Sequence, residues 1–419
     1  MKFQFLANTF IGLFLITLVS CGGGYSGQLL GEQDRPNWRP EMPYGMVYIP
    51  TGTLHVGPSD QDVNSARVAR AKSISIVGFY MDDTEISNNE YRQFVNWVRD
   101  SIGHKLLDHV IIDDYTGDEK IDWKQKINWA DAETKELLEA MTVPQNDPIA
   151  PGAVDGDKLI FDYVWIDWQT AANEPGVERE DLMIRESVPI YPDTLVWIRD
   201  FSYSYNEPMA RNYFAHPAFD DYPVVGVNWD KANAFCAWRT RFYNDYKQQV
   251  GQPMIDDFRL PTEHEWEYAA RGGKELAPYP WGGPYIRNSK GCLLANFKPG
   301  RGNYPEDGGL YTVRVDAYWP NDFGLYNMAG NVAEWTSSAY YENSYHFMHD
   351  LNPDIRYDAS ESESITMKRK VIRGGSWKDI GYYIQTGTRH WEYSFENKSY
   401  IGFRSVSTYL GRDYRDNSF

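Results

Sequence analysis

Cysteine is scarce in this chain. Its 419 residues hold three, at Cys21, Cys236 and Cys292, which excludes a disulfide framework by number. Positive charge is also short: 41 Lys and Arg stand against 59 Asp and Glu, a net charge of -18. A surface that acidic repels phosphate backbones, so nucleic acid is excluded as a partner class. No Walker A or GxSxG phrase occurs, and Glu263-His264-Glu265 lacks the second His of a zinc HExxH pattern. Long helical periodicity is rare, so bundles and coiled coils are poor candidates. Aromatics, by contrast, reach 16%, with 31 Tyr and 15 Trp beside 34 Gly and 23 Pro. Such a chain is loop-rich and held by large flat side chains. At 42% hydrophobic and 24% charged it is globular. Its length suits two domains or one large domain with insertions.

The one long apolar run lies near the start. Lys2 supplies a positive flank and Phe10–Val19 an apolar segment, followed by Leu18-Val19-Ser20-Cys21 and three glycines. This resembles a secretory signal ending in a bacterial lipobox. The expectation is a lipoprotein signal peptide over 1–20, a lipid-carrying Cys21 and a tether over 21–40. An acylated cysteine holds a protein on a membrane without a spanning helix.

Beyond the tether, Gly45–Gly57 alternates apolar and polar residues, the pattern of a strand or short hairpin, and Ser73–Met81 reads as a second strand. Ser87, Asn88 or Asn89 can cap a helix through Tyr91–Val98. From about 101 to 199 the chain turns rich in Asp, Trp and Lys, with a helix-like Ala130–Ala140, and reads as an insertion. Asp221–Trp229 reads as a strand leading into a helix over Lys231–Tyr246, which buries Cys236. Thr262 and Glu265 form a capping box. Arg373, Arg389 and Arg404 are read as ion-paired scaffold in preference to anion binders. His346 and His349 with Asp350 are a weak metal pair, and Asp113, Asp114 and Asp118 a fragment of a calcium loop.

Several phrases follow in fixed order: Gly45–Gly52 (GMVYIPTG), Tyr222–Trp229 (YPVVGVNW), Arg259–Glu263 (RLPTE), Glu265–Gly273 (EWEYAARGG), Gly324–Trp335 (GLYNMAGNVAEW), Arg373–Trp377 (RGGSW) and Gly402-Phe403-Arg404. Together they resemble the formylglycine-generating, or sulfatase-modifying-factor, family. The resemblance implies an α+β, C-type-lectin-like fold over 41–410, interrupted by the insertion, with a tail over 411–419. It also implies structural Ca²⁺ at Asn327, Glu334 and the carbonyls of Gly330 and Val332, a hard-oxygen set. A second calcium site is implied at Asn296, Asp307 and the carbonyls of Phe297 and Gly309. The family's oxidases use two cysteines shortly after the Gly-Gly-Ser phrase as soft thiolate ligands for copper. Here that segment reads Trp377–Gln385 (WKDIGYYIQ), without cysteine, so the expectation is no enzymatic activity and no catalytic residues.

A narrower likeness rests on the lipobox, Ser59–Asp62, Ile121–Lys124, Ile127–Trp129 and Tyr191–Glu207. These phrases look like the GldK/PorK-type lipoproteins of gliding motility and type IX secretion in Bacteroidota, with GldJ-type lipoproteins as the alternative. That likeness implies an outer-membrane anchor facing the periplasm and self-association in a ring with a GldN/PorN-type periplasmic protein and other secretion-system subunits. Trp123, Trp129, Trp165, Trp168 and Trp197 in the insertion are candidate anchors for such partners. The competing readings are an oxidase of the formylglycine-generating type and a binder of glycan or protein.

Overall fold

The computed structural model describes residues 40–57, 71–112, 119–147, 151–201, 207–300, 305 and 309–411. Cys21, Ser59–Asp62, Asp113, Asp114, Asp118 and Asp307 lie outside the described residues. The first strands are β1 (Met46–Ile49), β2 (Gly52–Val56), β3 (Lys72–Ile76) and β4 (Phe79–Asp82). Helix α1 (Asn88–Leu106) follows, then the insertion strands β5 (Val110–Ile112), β6 (Glu119–Ile121), β7 (Ile160–Ile166) and β8 (Met183–Pro189). Helix α2 (Trp229–Gln249), β9 (Phe258–Arg259) and α3 (Glu263–Arg271) come next. The last strands are β10 (Ala333–Ala339), β11 (Arg369–Arg373), β12 (His390–Tyr393), β13 (Ile401–Gly402) and β14 (Val406–Thr408).

Two four-stranded sheets frame the domain, one in the order β1-β4-β14-β9 and the other β12-β11-β10-β13. Three two-stranded hairpins, β2-β3, β5-β6 and β7-β8, complete the strand pairing. The alternating segment 45–57 is two strands that join different sheets, because Pro50 cannot donate to a ladder. Ser73–Met81 likewise breaks at Val77-Gly78, where the Gly78 N–H turns to Thr51 Oγ1 at 2.9 Å. Ser87 caps α1 in a capping box with Glu90, and Tyr91, Phe94, Val95 and Val98 point inward. The helix runs past Val98 to Leu106 because Ser101 and His104 find burial against the insertion.

Asp221–Trp229 is not a strand. It is an ordered loop whose main chain is satisfied one group at a time: Val224 N–H on Ile86 O at 2.8 Å and Gly226 N–H on Lys398 O at 3.0 Å. Gly226 has φ +76°, and a Cβ there would meet the Asp193 carbonyl oxygen at 2.4 Å. The apolar alternation therefore serves burial of Val224, Val225 and Val227, not a ladder.

The insertion is knitted into the core. Leu138, Met141, Leu159, Phe161, Val188 and Ile190 share one cluster with Phe94, Phe235, Trp238 and Phe403. Phe161 meets Phe94 edge-on at 5.2 Å. A second cluster gathers β2, β3 and α3 around Trp266.

Gly226→Ala should lower stability by about 2 kcal/mol or more, from left-handed strain plus the clash. Gly251→Ala, at φ +69° with nothing within 4 Å, should cost about 1–2 kcal/mol from strain alone. Urea denaturation of the two variants checks the ordering.

Candidate functional site

Helix α3 is a rod of buried acids. Its capping box sets Glu265 back on Thr262 N–H at 2.9 Å, and Arg259 grips the same carboxylate with two contacts of 2.7 Å. Glu263 receives Arg389, and Glu267 receives Arg271 and Arg373. Burial alone would raise the Glu263 pKa, but Arg389 and Arg373 outweigh it and hold the carboxyl at about 2. Arg404 forks onto Glu334 with two contacts of 2.7 Å, and Trp266 Nε1 donates to the same carboxylate at 2.7 Å. The three arginines are thus committed to internal carboxylates, as scaffold residues.

The loop Asn327–Glu334 lies against this frame. Asn327 and Asn331 both adopt left-handed backbone, φ +50° and +61°, which asparagine tolerates better than most residues. Their side-chain amides donate to one carboxylate, Glu85, at 3.0 and 2.9 Å. Sequence reading passed over Glu85, which is fully buried and sits 242 residues before Asn327. Asn327 Oδ1 is buried without a hydrogen-bond donor. Glu85 and Glu334 are electrostatically coupled, with Arg404 as the cation that both feel.

Two carboxyl groups, one guanidinium and an orphaned amide oxygen are gathered here, and with Glu85 protonated up to about pH 8 the set is near neutral. A cation of the Ca²⁺ type, which takes hard oxygens, would displace that proton. Among the described residues no group of three or more His, Cys, Asp or Glu is placed to hold a metal. The groups that the family resemblance implies for the ion are Asn327, Glu334 and the Gly330 and Val332 carbonyls, and Glu85 is the acid beside them. In the second implied set Asp307 is outside the described residues, and Asn296 spends its amide N–H groups on Tyr311 O at 2.7 Å and Asn331 Oδ1 at 3.3 Å.

The segment after Gly374-Gly375 is a tight structural turn. Asp379 accepts from Ser376 N–H at 2.9 Å and from its hydroxyl at 2.6 Å. Trp377 is buried and stacks on Trp197 at 6.0 Å. Cys236 and Cys292 are both free, one buried and one exposed. Burial pushes the Cys236 thiol up to about 12, with its Sγ 3.7 Å from Ser405 Oγ.

Residues 32–409 match the sulfatase-modifying factor enzyme 1-like domain. The chain belongs to that family. It is 27% identical to a formylglycine-generating enzyme of Bos taurus over 394 residues, covering 92% of this chain and 80% of the relative. It is 34% identical over 181 residues to an inactive C-alpha-formylglycine-generating enzyme 2 of the same species, covering 41% of this chain and 46% of that one. Among solved structures, PvdO from Pseudomonas aeruginosa covers 90% of this chain and is itself covered completely, at 16% identity and a TM-score of 0.47. The mixed, loop-rich α+β architecture is that of this family.

The remaining sequence candidates are scattered. Asp350 pairs with Lys72 at 2.6 Å, while His346 and His349 are exposed beside it. Of the five insertion tryptophans Trp197 is buried, Trp129 and Trp165 are half-buried, and Trp123 and Trp168 are exposed at 48% and 68%.

Burial, seconded by Glu334, pushes the Glu85 carboxyl up to about 8, against the pull of Arg404 and the two amides. The folded chain therefore keeps a proton that the unfolded chain releases near pH 4.5. The stability tied to that proton is full below about pH 4.5 and is lost as pH rises through about 8. In metal-free protein, Glu85→Gln should flatten the fall in Tm between about pH 5 and pH 8. Thermal melts in chelator at stepped pH check this.

Proposed function

We propose that this chain is a non-catalytic lipoprotein, anchored through Cys21 in the outer membrane and facing the periplasm. In this reading it is a structural subunit of type IX secretion and gliding machinery that forms a ring with a GldN/PorN-type partner. The observation that carries the non-catalytic part is ligand chemistry. The turn where the family's oxidases hold two thiolates carries Lys378 and Asp379, and Asp379 is spent on Ser376. Carboxylate oxygens do not replace soft sulfur for Cu(I). A relative named as an inactive enzyme is in keeping with family members that do other work. The assembly part draws on the exposed apolar side chains of the insertion, Ile111, Ile112, Trp123, Val164 and Trp168, and on the phrases shared with GldK/PorK-type lipoproteins.

A second reading, oxidation of a cysteine to formylglycine, draws on the 27% identity that spans 92% of the chain. Incubating the purified protein with copper and a cysteine-containing sulfatase peptide separates the two. The expected result is unchanged peptide by mass spectrometry, and conversion to formylglycine overturns the proposal. Trp168→Ser should leave Tm within about a degree, since its side chain is exposed at 68%. The same variant should weaken capture of the periplasmic partner from solubilised membranes. The partner recovered also tells a GldK/PorK-type from a GldJ-type role.

Two further expectations belong to this reading. Cys21→Ser should move the protein from the membrane fraction to the soluble fraction on immunoblots. Structural Ca²⁺ at Asn327, Gly330, Val332 and Glu334, joined by Glu85, should make Tm fall on chelation and recover with added Ca²⁺, by mass action on the folded state.

A further inference from the structure

The chain enters the fold beside the C-terminal end of helix α2. Glu41 pairs with Lys247 in the last turn of that helix, and the Tyr44 carbonyl receives Arg239 at 3.4 Å. On the same helix Phe242, Tyr246 and the C-cap Val250 recur every fourth residue, so they share one face. Phe242 stacks on Trp238 with ring centroids 5.4 Å apart, which holds its ring in place. Met254 follows the helix and returns to its last turn, where Sδ accepts from Gln248 Nε2 at 3.1 Å. None of these side chains is covered. Tyr246 and Met254 are each 58% exposed, Phe242 53% and Val250 49%, and in the entering segment Met42 and Tyr44 are 53% and 94% exposed. Single exposed apolar side chains are ordinary, but a run of them along one helix end and the segment bonded to it marks a contact surface.

Position and charge say what this surface meets. In the lipoprotein reading above, residues 21–39 separate the anchor from Pro40. A Gly-rich linker of that length spans about 25 Å on average, whereas a globular domain of this size is about 50 Å across. The side on which the chain enters is therefore the side kept near the lipid. Residues 242–255 carry one acid, Asp245, and one base, Lys247, in a chain of net charge -18. Asp245 lies 4.0 Å from Arg241, and Lys247 is taken by Glu41. Asp256 and Asp257 come only at the border of the stretch. A face of so little charge can approach headgroups that the rest of an acidic surface avoids. Tyrosine rings among apolar neighbours suit the headgroup level of a bilayer, with one end dry and the other wet.

We propose that the C-terminal end of α2 docks on a lipid surface, with Phe242, Tyr246, Val250 and Met254 beside Met42 and Tyr44 resting at headgroup level. The contact orients the domain on its membrane, and the proposal rests on the lipoprotein reading of Cys21. Because the surface holds no basic cluster, the contact is apolar rather than electrostatic, so neutral phosphatidylcholine is bound at least as well as anionic phosphatidylglycerol. A contact that is weak alone suffices, since a short linker holds the domain at millimolar effective concentration near the lipid.

The test is hydroxyl-radical footprinting read by mass spectrometry, which reports phenylalanine, tyrosine and methionine directly. Pro40–Phe419 form one compact unit with its own cores, so this part in buffer is the reference. It is compared with the same part at millimolar phosphatidylcholine vesicles and with the full chain reconstituted in them. Lipid should lower the oxidation of Phe242, Tyr246 and Met254, while Trp319, exposed at 90%, reacts as before. Tyr246→Ser with Met254→Ser should weaken flotation of Pro40–Phe419 with vesicles about tenfold, with an unchanged melting curve because both side chains are exposed. Unchanged oxidation of the three residues, equal protection of Trp319, or undiminished flotation of the double variant overturns the proposal. Protection that appears without lipid as protein concentration rises assigns the face to a second copy of the chain and overturns it too. Fractionation of Cys21→Ser reports the anchor alone: if that variant stays with the membrane, the lipoprotein reading falls, and the footprint of Pro40–Phe419 still decides the docking surface.

Discussion

The fold depends on burying carboxylates that cannot be buried alone. Glu263, Glu267 and Glu334 are all within 2% of full burial, and each is met by a guanidinium arriving from a distant loop or strand. An isolated buried carboxylate is costly enough that the group would neutralise. Each arginine must therefore reach its station before the acids can leave water. Truncating one partner of such a pair costs about 3–5 kcal/mol, whereas an apolar isostere of the whole pair can be neutral. These pairs therefore specify an arrangement more than they add net stability. They explain how a chain with so few long helices keeps its loops in register. Arg404 also donates to Asp82 O and Tyr326 O at 3.1 and 3.0 Å, tying three separate segments with one side chain.

Much of this was legible in the residues. The cap at Thr262, a cap among Ser87, Asn88 and Asn89, the helix around Cys236 and the scaffold role of Arg373, Arg389 and Arg404 all follow from local chemistry. What was not legible is non-local. Asp221–Trp229 has strand-like alternation, but Gly226 is pinned in a left-handed turn against Asp193, and no periodicity reports a backbone clash. The helix after Ser87 was read too short, because its last turns are stabilised by the insertion, whose pattern is weak by itself.

Glu85 shows the same limit at the candidate site. It stands in a short polar phrase, Thr84–Asn89, and looks like one more residue before a helix cap. Only the fold brings it under Asn327 and Asn331. The loop asparagines could be found by their phrase; the acid they serve could not, because no spacing rule spans 242 residues. The apolar face at the end of α2 was hidden for a related reason. Phe242, Tyr246 and Val250 stand at helical spacing, but only the fold shows that this side stays uncovered.

Strand β14 lies between β4 and β9 in its sheet, so residues near the C-terminal end complete a sheet that residues near the beginning start. β4 can pair with β1 early, but β9 has no strand beside it, and β4 lacks its second neighbour, until Val406–Thr408 is present. Closure of this kind is slow, since contacts across most of the chain must form together. A chain cut short of Val406 would leave β4 with β1 alone and β9 with no strand beside it, so the order of this sheet is settled by its last strand.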